Sequence, residues 1–447
     1  MDKLIPISEM PLNGRHWYIL IVASLEQLIG GALSTIVGIM LPLIMLAGQP
    51  KLTALDQGIL GASGLAGIAI GSIIIGQLMD AIGYLFLFRL CPLLIAAGSV
   101  CVYFSDQPAT LAIFLFITGL GIGGGYSLDS GYISELMPKK WENFMVGLAK
   151  ALCSFGFIGG AAVGYWALLL DPSAALWPDL ILFIGLLGIC TFLLRIHWYE
   201  SPRWLLAKDK IKRAENAARE FLGPAAEVRP IQDRIGAKGL PWYKMFSGEP
   251  LQKVILSGIT WACEGLGVYG FGVFLPILVM ALGLQGGGLE GIAKVEASIK
   301  TTVFINLFIA AGFAIGLALV RKLNLLKLMG WCFLLCAISL AGLLGGYAWH
   351  WATWISFVCF IIFETALNAG PHLVTFIVPS RIYTVSERGA GMGIATMLGK
   401  VGAVGGVFFM PLLLHWGGIT LVLWVSIIIQ LIGAAITFIY GKKLNLL

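Results

Sequence analysis

Charge is what this sequence has least of. Of 447 residues, 12% are Asp, Glu, Lys or Arg and 59% are hydrophobic; a soluble domain carries about 25% charged residues. That scarcity excludes a chain whose whole surface meets water and leaves lipid as the main solvent. Metal-ligand spacing is also missing. The histidines His16, His197, His350, His372 and His415 stand far apart, with no paired-His or Ser/His motif beside them. The eight cysteines lie inside apolar runs without a CxxC, which reads as small buried hydrophobes and not as a disulfide or metal framework. No metal or cofactor is expected, and a polytopic membrane enzyme or sensor is the remotest class. No short signal peptide is visible, because residues 1–15 are mixed and polar and the next apolar run is too long for an h-region. The net charge of +6 does not imply nucleic acid; its placement matters more than its sum.

Long apolar runs are what the chain has in quantity. A helix needs about 20 apolar residues to cross the hydrocarbon. Twelve such runs are expected: 17–46, 56–79, 85–104, 109–137, 142–170, 177–198, 252–282, 293–320, 324–346, 350–378, 386–414 and 417–441. Glycines at small-residue spacing, such as Gly67, Gly71 and Gly76, suit close helix packing in lipid. Alternation typical of a barrel strand is absent, so the fold class is an all-α membrane protein of about twelve transmembrane helices. Lys and Arg crowd one set of loops: Arg89, Lys139, Lys140, Arg321, Lys322, Arg381, Arg388, Lys442 and Lys443, with the opposite side nearly bare. By the positive-inside rule both termini are cytoplasmic. The stretch 199–250, rich in Lys and Arg, then reads as a cytoplasmic linker, with an amphipathic surface helix over 203–222.

The halves rhyme. Gly76 and Gly316 end the second and eighth runs, Pro138 and Pro379 the fourth and tenth, and Glu26 and Glu264 lie inside the first and seventh. These pairs share offsets close to 240 residues, which argues for a six-plus-six duplication. The domains expected are a bundle at 1–198, the linker at 199–250 and a bundle at 251–447. Such repeats mark transporters, with the solute held near the midplane where the repeats meet.

Ionisable groups in hydrocarbon are costly and each needs a reason. Glu26 lies ten residues into its run, roughly 15 Å deep at 1.5 Å per residue, and Glu264 lies at similar depth. Asp129 and Glu364 join them as candidates for carrying a coupled proton. No arginine is expected at this depth, and Lys150 is placed nearer the end of the fifth run, so the acids read as a set without matching bases. Acids of that kind load and release protons, or bind a cation directly. Gln27, Tyr126, Trp261, Tyr269, Asn368, His372 and Thr375 are candidates for lining the solute cavity. Glu364, Asn368, Pro371 and Thr375 share one helix face, and His372 is a possible proton relay.

These motifs resemble the major facilitator superfamily over nearly the whole chain. GQLMDAIG (76–83) resembles its signature between the second and third helices, with Tyr84 where a base is usual. GLGIGGGYSLDSGYISELMPKK (119–140) resembles the fourth-helix signature of sugar-porter and phosphate-symporter relatives, with Leu115 in place of its Arg. YESPRWL (199–205) resembles the sequence after the sixth helix of sugar porters. NAGPHLVTFIVPSR (368–381) and GMGIATMLGKVGA (391–403) resemble proton-coupled phosphate symporters; His372 replaces an Asn, Gly125 an Asp, and that family's seventh-helix Asp falls on Gly265, beside Glu264. The sugar-porter glutamine pair of the seventh helix is absent. The resemblance implies the major facilitator fold, two pseudo-symmetric six-helix bundles, and alternating access. It assigns Asp80, Glu135, Glu200, Arg203 and Arg388 to cytoplasmic charge networks that gate the cycle, with Arg89, Lys139 or Lys140 substituting for the missing bases.

The function expected is therefore secondary transport, foremost proton-coupled symport of a small polar metabolite (a sugar or polyol, an organic acid or phosphate). Proton-coupled efflux of organic cations or drugs is the alternative. The proton is the expected coupling ion, and the partners are a small-molecule substrate and the bilayer. The chain is expected to act as a monomer, as a multi-pass protein of a bacterial or archaeal cell membrane.

Overall fold

A computed structural model describes residues 5–228, 241–384 and 387–447. The middle of the expected linker, 229–240, lies outside the described residues. The described residues open on a two-residue strand β1 (Ile5–Pro6) that pairs in parallel with β2 (Ala226–Glu227). The first span is two helices in line, α1 (Gly14–Ala23) and α2 (Leu25–Ala47), interrupted at Ser24. Next come α3 (Ala54–Ile82), α4 (Tyr84–Tyr103), α5 (Pro108–Leu136), α6 (Glu142–Leu170) and α7 (Trp177–Leu194). Two short helices follow, α8 (Pro202–Ala207) and α9 (Ile211–Leu222). The later spans are α10 (Gly248–Val254) running through a π-helical turn into α11 (Thr260–Ala281), then α12 (Gly291–Leu319) and α13 (Leu325–Ala348). The chain continues with α14 (Thr353–Leu367), joined by a second π-helical turn at Asn368–His372 to α15 (Leu373–Ile382), and closes with α16 (Arg388–Lys443).

Among the described residues, eleven helical runs are long and apolar enough to cross a membrane. The last, Ala390–Lys443, has 54 residues, about 81 Å at 1.5 Å per residue, against a hydrocarbon core of about 30 Å. It contains two spans. Gly417 and Gly418 leave the helical region, and Gly418 has φ of 63° and ψ of −166°, a conformation essentially reserved for glycine. The segment before this break packs on α11, with Gly402 against Ala262 and Gly406 against Leu266. The segment after it packs on α13, with Phe438 against Gly330 and Phe333 against Gly433. Twelve spans result.

The surface helix expected over 203–222 is two helices. At Lys208–Lys210 the chain turns back on itself: the Lys210 amide bonds the Leu205 carbonyl at 2.9 Å, and Asp209 takes the left-handed region at φ 56°. Asp tolerates that conformation better than most residues, so the run ends there despite its even amphipathic pattern. Beyond the turn, α9 buries Ala214, Ala217, Ala218, Phe221 and Leu222, the i, i+3, i+4 spacing of one helical face.

Contacts group the chain into two compact units. The first holds 1–33, 66–157 and 178–235; the second holds 34–65, 158–177 and 236–447. The first is knit by an aromatic cluster in which Tyr132 meets Phe88 edge-on at 5.0 Å and Trp198 meets Phe221 at 5.0 Å. In the second, Leu256 of the π-helical turn before α11 forms a buried core with Met329 and Phe333 of α13 and Val374 of α15.

Candidate functional site

The break at Ser24 puts Glu26 in the first turn of α2, with no side-chain exposure. Its carboxylate is not alone. Arg195, just beyond α7 and equally buried, donates to it with Nη1–Oε1 at 2.5 Å and Nη2–Oε2 at 2.6 Å. The same guanidinium bonds the carbonyls of Val22, Ala23 and Phe88 and stacks over the Phe88 ring at 4.6 Å. Every donor of the fork is used, the geometry in which an arginine is worth burying. This corrects the expectation that no arginine lies at the depth of the acids. The signal was a lone Arg inside the run 177–198, without any local cue to its partner.

Asp129 on α5 has partners as well. Gln27 donates to it at 2.6 Å, and Lys150 of α6 lies 3.8 Å from its other oxygen. The Lys150 side chain keeps 24% of its exposure and stands 5.1 Å above the Tyr126 ring. Gln27, Tyr126 and Asp129, given different roles from sequence, thus come together, and Lys150, assigned from sequence to the helix end, joins them. The acids of the first unit therefore do have matching bases. A side chain at Gly125 would meet the methylene carbons of Glu26, so Glu26 fills the space that an Asp there would need.

In the second unit, α11 brings Glu264 against α14 and α15. Glu264 Oε1 is 3.8 Å from His372 Nε2. His372 Nδ1 is 2.9 Å from Asn368 Oδ1, and Asn368 Nδ2 donates to the Glu364 carbonyl at 2.8 Å and to Glu364 Oε2 at 3.4 Å. Glu264, Glu364, Asn368 and His372 are all buried. Asn368 and His372 bound the π-helical turn Asn368–His372, a feature frequent at functional sites. Half-buried Lys400 of α16 adds its charge to both Glu264 and His372; sequence analysis had matched it to a motif without giving it a role. Trp261 meets Phe376 edge-on at 4.8 Å, and Phe313 lies 4.9 Å from the His372 ring. Of the other expected members, Thr375 donates to the Pro371 carbonyl one turn earlier, and Tyr269, five residues beyond Glu264, lies about 140° further around α11. Gly265 abuts Gly399 and Ala403, which leaves the acid of this turn to Glu264.

The residues assigned to gating are mostly bonded inside the first unit. Glu200 accepts from the amides of Tyr84 at 2.7 Å and Leu85 at 3.2 Å, capping α4, where helix-end amides favour an anion. Gly83, with φ of 92°, lies directly against that carboxylate. Glu135 accepts from the Ser201 hydroxyl and from Tyr84 Oη at 3.5 Å, and it feels the charge of Arg203. Arg89 donates to the Arg195 and Ile196 carbonyls at the end of α7. The side chains of Asp80 and Arg388 lie outside the described residues. The second unit holds a cluster that sequence analysis missed: Lys253 pairs with Glu249 at 2.8 Å and Glu387 at 3.1 Å, and Tyr383 shares a hydrogen bond with Ser257 at 2.8 Å.

The profile of the family described as sugar (and other) transporter matches residues 27–444. The inner membrane metabolite transport protein YgcS of Escherichia coli is 24% identical over 440 residues, covering 98% of this chain and 94% of YgcS. The benzoate transport protein of Acinetobacter baylyi is also 24% identical, over 92% of this chain and 85% of its own. Among solved structures, the inward-open xylose transporter XylE of E. coli superposes with a TM-score of 0.74 at 17% identity, covering 96% of this chain and 98% of XylE. The fold is that of the major facilitators.

Proposed function

Because the chain belongs to the sugar (and other) transporter family, we propose that this multi-pass membrane transporter is a proton-coupled symporter importing a small organic anion. The observation that carries this reading is the company of buried acids and half-buried lysines, Asp129 with Lys150 and Glu264 with Lys400. While the acid is ionised, it holds the lysine's charge. A proton on the acid releases that charge for an anionic solute, so proton and anion load together. Rings at Trp261, Phe376 and Phe313 suit an apolar body on the solute, and likeness to a benzoate transporter supports a carboxylate among the metabolites considered. The lysines disfavour export of organic cations.

In this reading the bundles 1–198 and 251–447, joined by 199–250, alternate access within a single chain, and the monomer is the working unit. No cofactor takes part beyond the coupled proton. The Lys and Arg bias supports cytoplasmic termini, and likeness to an inner membrane protein supports a bacterial cell membrane. The test is uptake into proteoliposomes of benzoate, succinate, phosphate and xylose, with and without an inside-alkaline gradient. A carboxylate accumulates only with the gradient. Xylose uptake with no carboxylate uptake overturns the reading.

A further inference from the structure

Three sets of buried charge compete for the coupled proton, and their geometries differ. Glu26 is held on both oxygens by Arg195, and Asp129 by Gln27 and Lys150. Glu264 differs: its Oε1 is buried and accepts no hydrogen bond, yet it faces a ring nitrogen 3.8 Å away.

The network around that nitrogen decides what it offers. Asn368 Nδ2 is committed to Glu364, so Asn368 Oδ1 faces His372. An oxygen acceptor at 2.9 Å from Nδ1 requires the proton of a neutral imidazole on Nδ1. Nε2 then carries a bare lone pair directed at Glu264. A carboxylate and a lone pair repel, whereas a carboxylic acid donates its O–H to the nitrogen. The other groups near the pair are Lys400 on α16, Cys263 beside Glu264, and Cys336 on α13 near Glu364. Of these only Lys400 is cationic.

We propose that Glu264 is the proton carrier of the transport cycle, switching between a protonated form that donates to His372 Nε2 and an ionised form held by Lys400. Asn368 and Glu364 are positioning residues that fix the imidazole tautomer. Glu26 has a structural part, clamped by Arg195. The proton bonds to one Glu264 oxygen from water on one side of the membrane and leaves to water on the other; no other bond changes. This rests on the proton-coupled reading above and names its site.

The test needs no solute. Infrared spectra of the liposome-reconstituted full chain, titrated with acid, report the C=O stretch of a protonated carboxyl. A titrating band is expected that disappears in Glu264→Gln, persists in Glu26→Gln, and shifts in frequency in His372→Phe. In protein labelled with ¹⁵N-histidine, the resonance that vanishes in His372→Phe is expected to report a proton on Nδ1, and Asn368→Ala to scramble it. Glu264→Asp guards against a folding defect, keeping the band at a shifted midpoint. A band lost in Glu26→Gln and kept in Glu264→Gln overturns the assignment, as does a His372 proton on Nε2. An intact Glu264 band beside an empty uptake panel overturns the transport reading alone.

Discussion

Arg195 and Glu26 lie 169 residues apart in the chain and meet through two parallel hydrogen bonds of 2.5 and 2.6 Å. Both side chains are fully buried. Removing one partner of such a pair strands a charge and costs about 3–5 kcal/mol. Arg195→Met is expected to lower the thermal unfolding midpoint sharply, and Arg195→Met/Glu26→Gln to recover much of the loss. If the double variant unfolds no higher than Arg195→Met, the two side chains do not depend on each other.

Gly83 holds a backbone conformation that other residues reach at a cost of about 1–3 kcal/mol, and Glu200 leaves no room for a methyl group there. Gly83→Ala therefore destabilises the first unit. Glu200→Ala uncaps α4 at a cost of about 1 kcal/mol. Hydrogen exchange reads this locally: the Tyr84 and Leu85 amides lose protection while the middle of α4 keeps it. Unchanged exchange at both amides contradicts the capping role.

Lys400→Met removes the charge proposed to receive the anion. For whichever carboxylate the panel shows to be transported, KM should rise at least about tenfold, or about 1.4 kcal/mol. Lys400→Arg retains a cation and is expected to restore part of the affinity. Equal KM in wild type and Lys400→Met places the anion elsewhere.

Glu387 titrates outside the spans. Partial burial opposes its ionisation, but the Thr384 amide and the Lys253 ammonium outweigh this and hold its carboxyl below the ordinary value. A depressed folded-state pKa stabilises above the unfolded carboxylate's pKa of about 4.3 and is lost as pH falls through the folded value. Stability from this contact is flat from near neutrality to mildly acid pH and declines only below that. Glu387→Gln should flatten that acid decline in melting curves; a wild-type decline already complete near pH 6 assigns it to another group.

Spans were legible because a lipid-facing helix must be apolar for about 20 residues, a rule that composition alone expresses. Even the break at Gly417–Gly418 coincides with the start of the last expected run, 417–441. The motif acids were legible for the complementary reason, since each is expensive where it stands. Their partners were not. Arg195 sits inside a run read as plain span, and nothing near it in sequence points to Glu26. Lys150 was visible, but depth counted along one helix says little about which neighbour it leans towards. The tautomer proposed for His372 depends on which way the Asn368 amide turns; that amide bonds Glu364 one turn earlier on α14 and His372 across a π-helical turn that no residue pattern announces. The surface helix failed at Asp209 for a local reason: amphipathic period says where a helix gains, not where the chain prefers to turn.

Among the described residues, the hydrogen-bond donors to Glu200 are main-chain amides. Besides the adjacent Ser201 amide, the amides it accepts from belong to the backbone at positions 84 and 85, and every residue except proline supplies them. The contact is thus indifferent to drift at those positions: Tyr84, standing where the resembled signature has a base, leaves it whole. A lineage can rewrite the charges around this corner without first finding a compensating partner, and only proline at 84 or 85 would close that freedom.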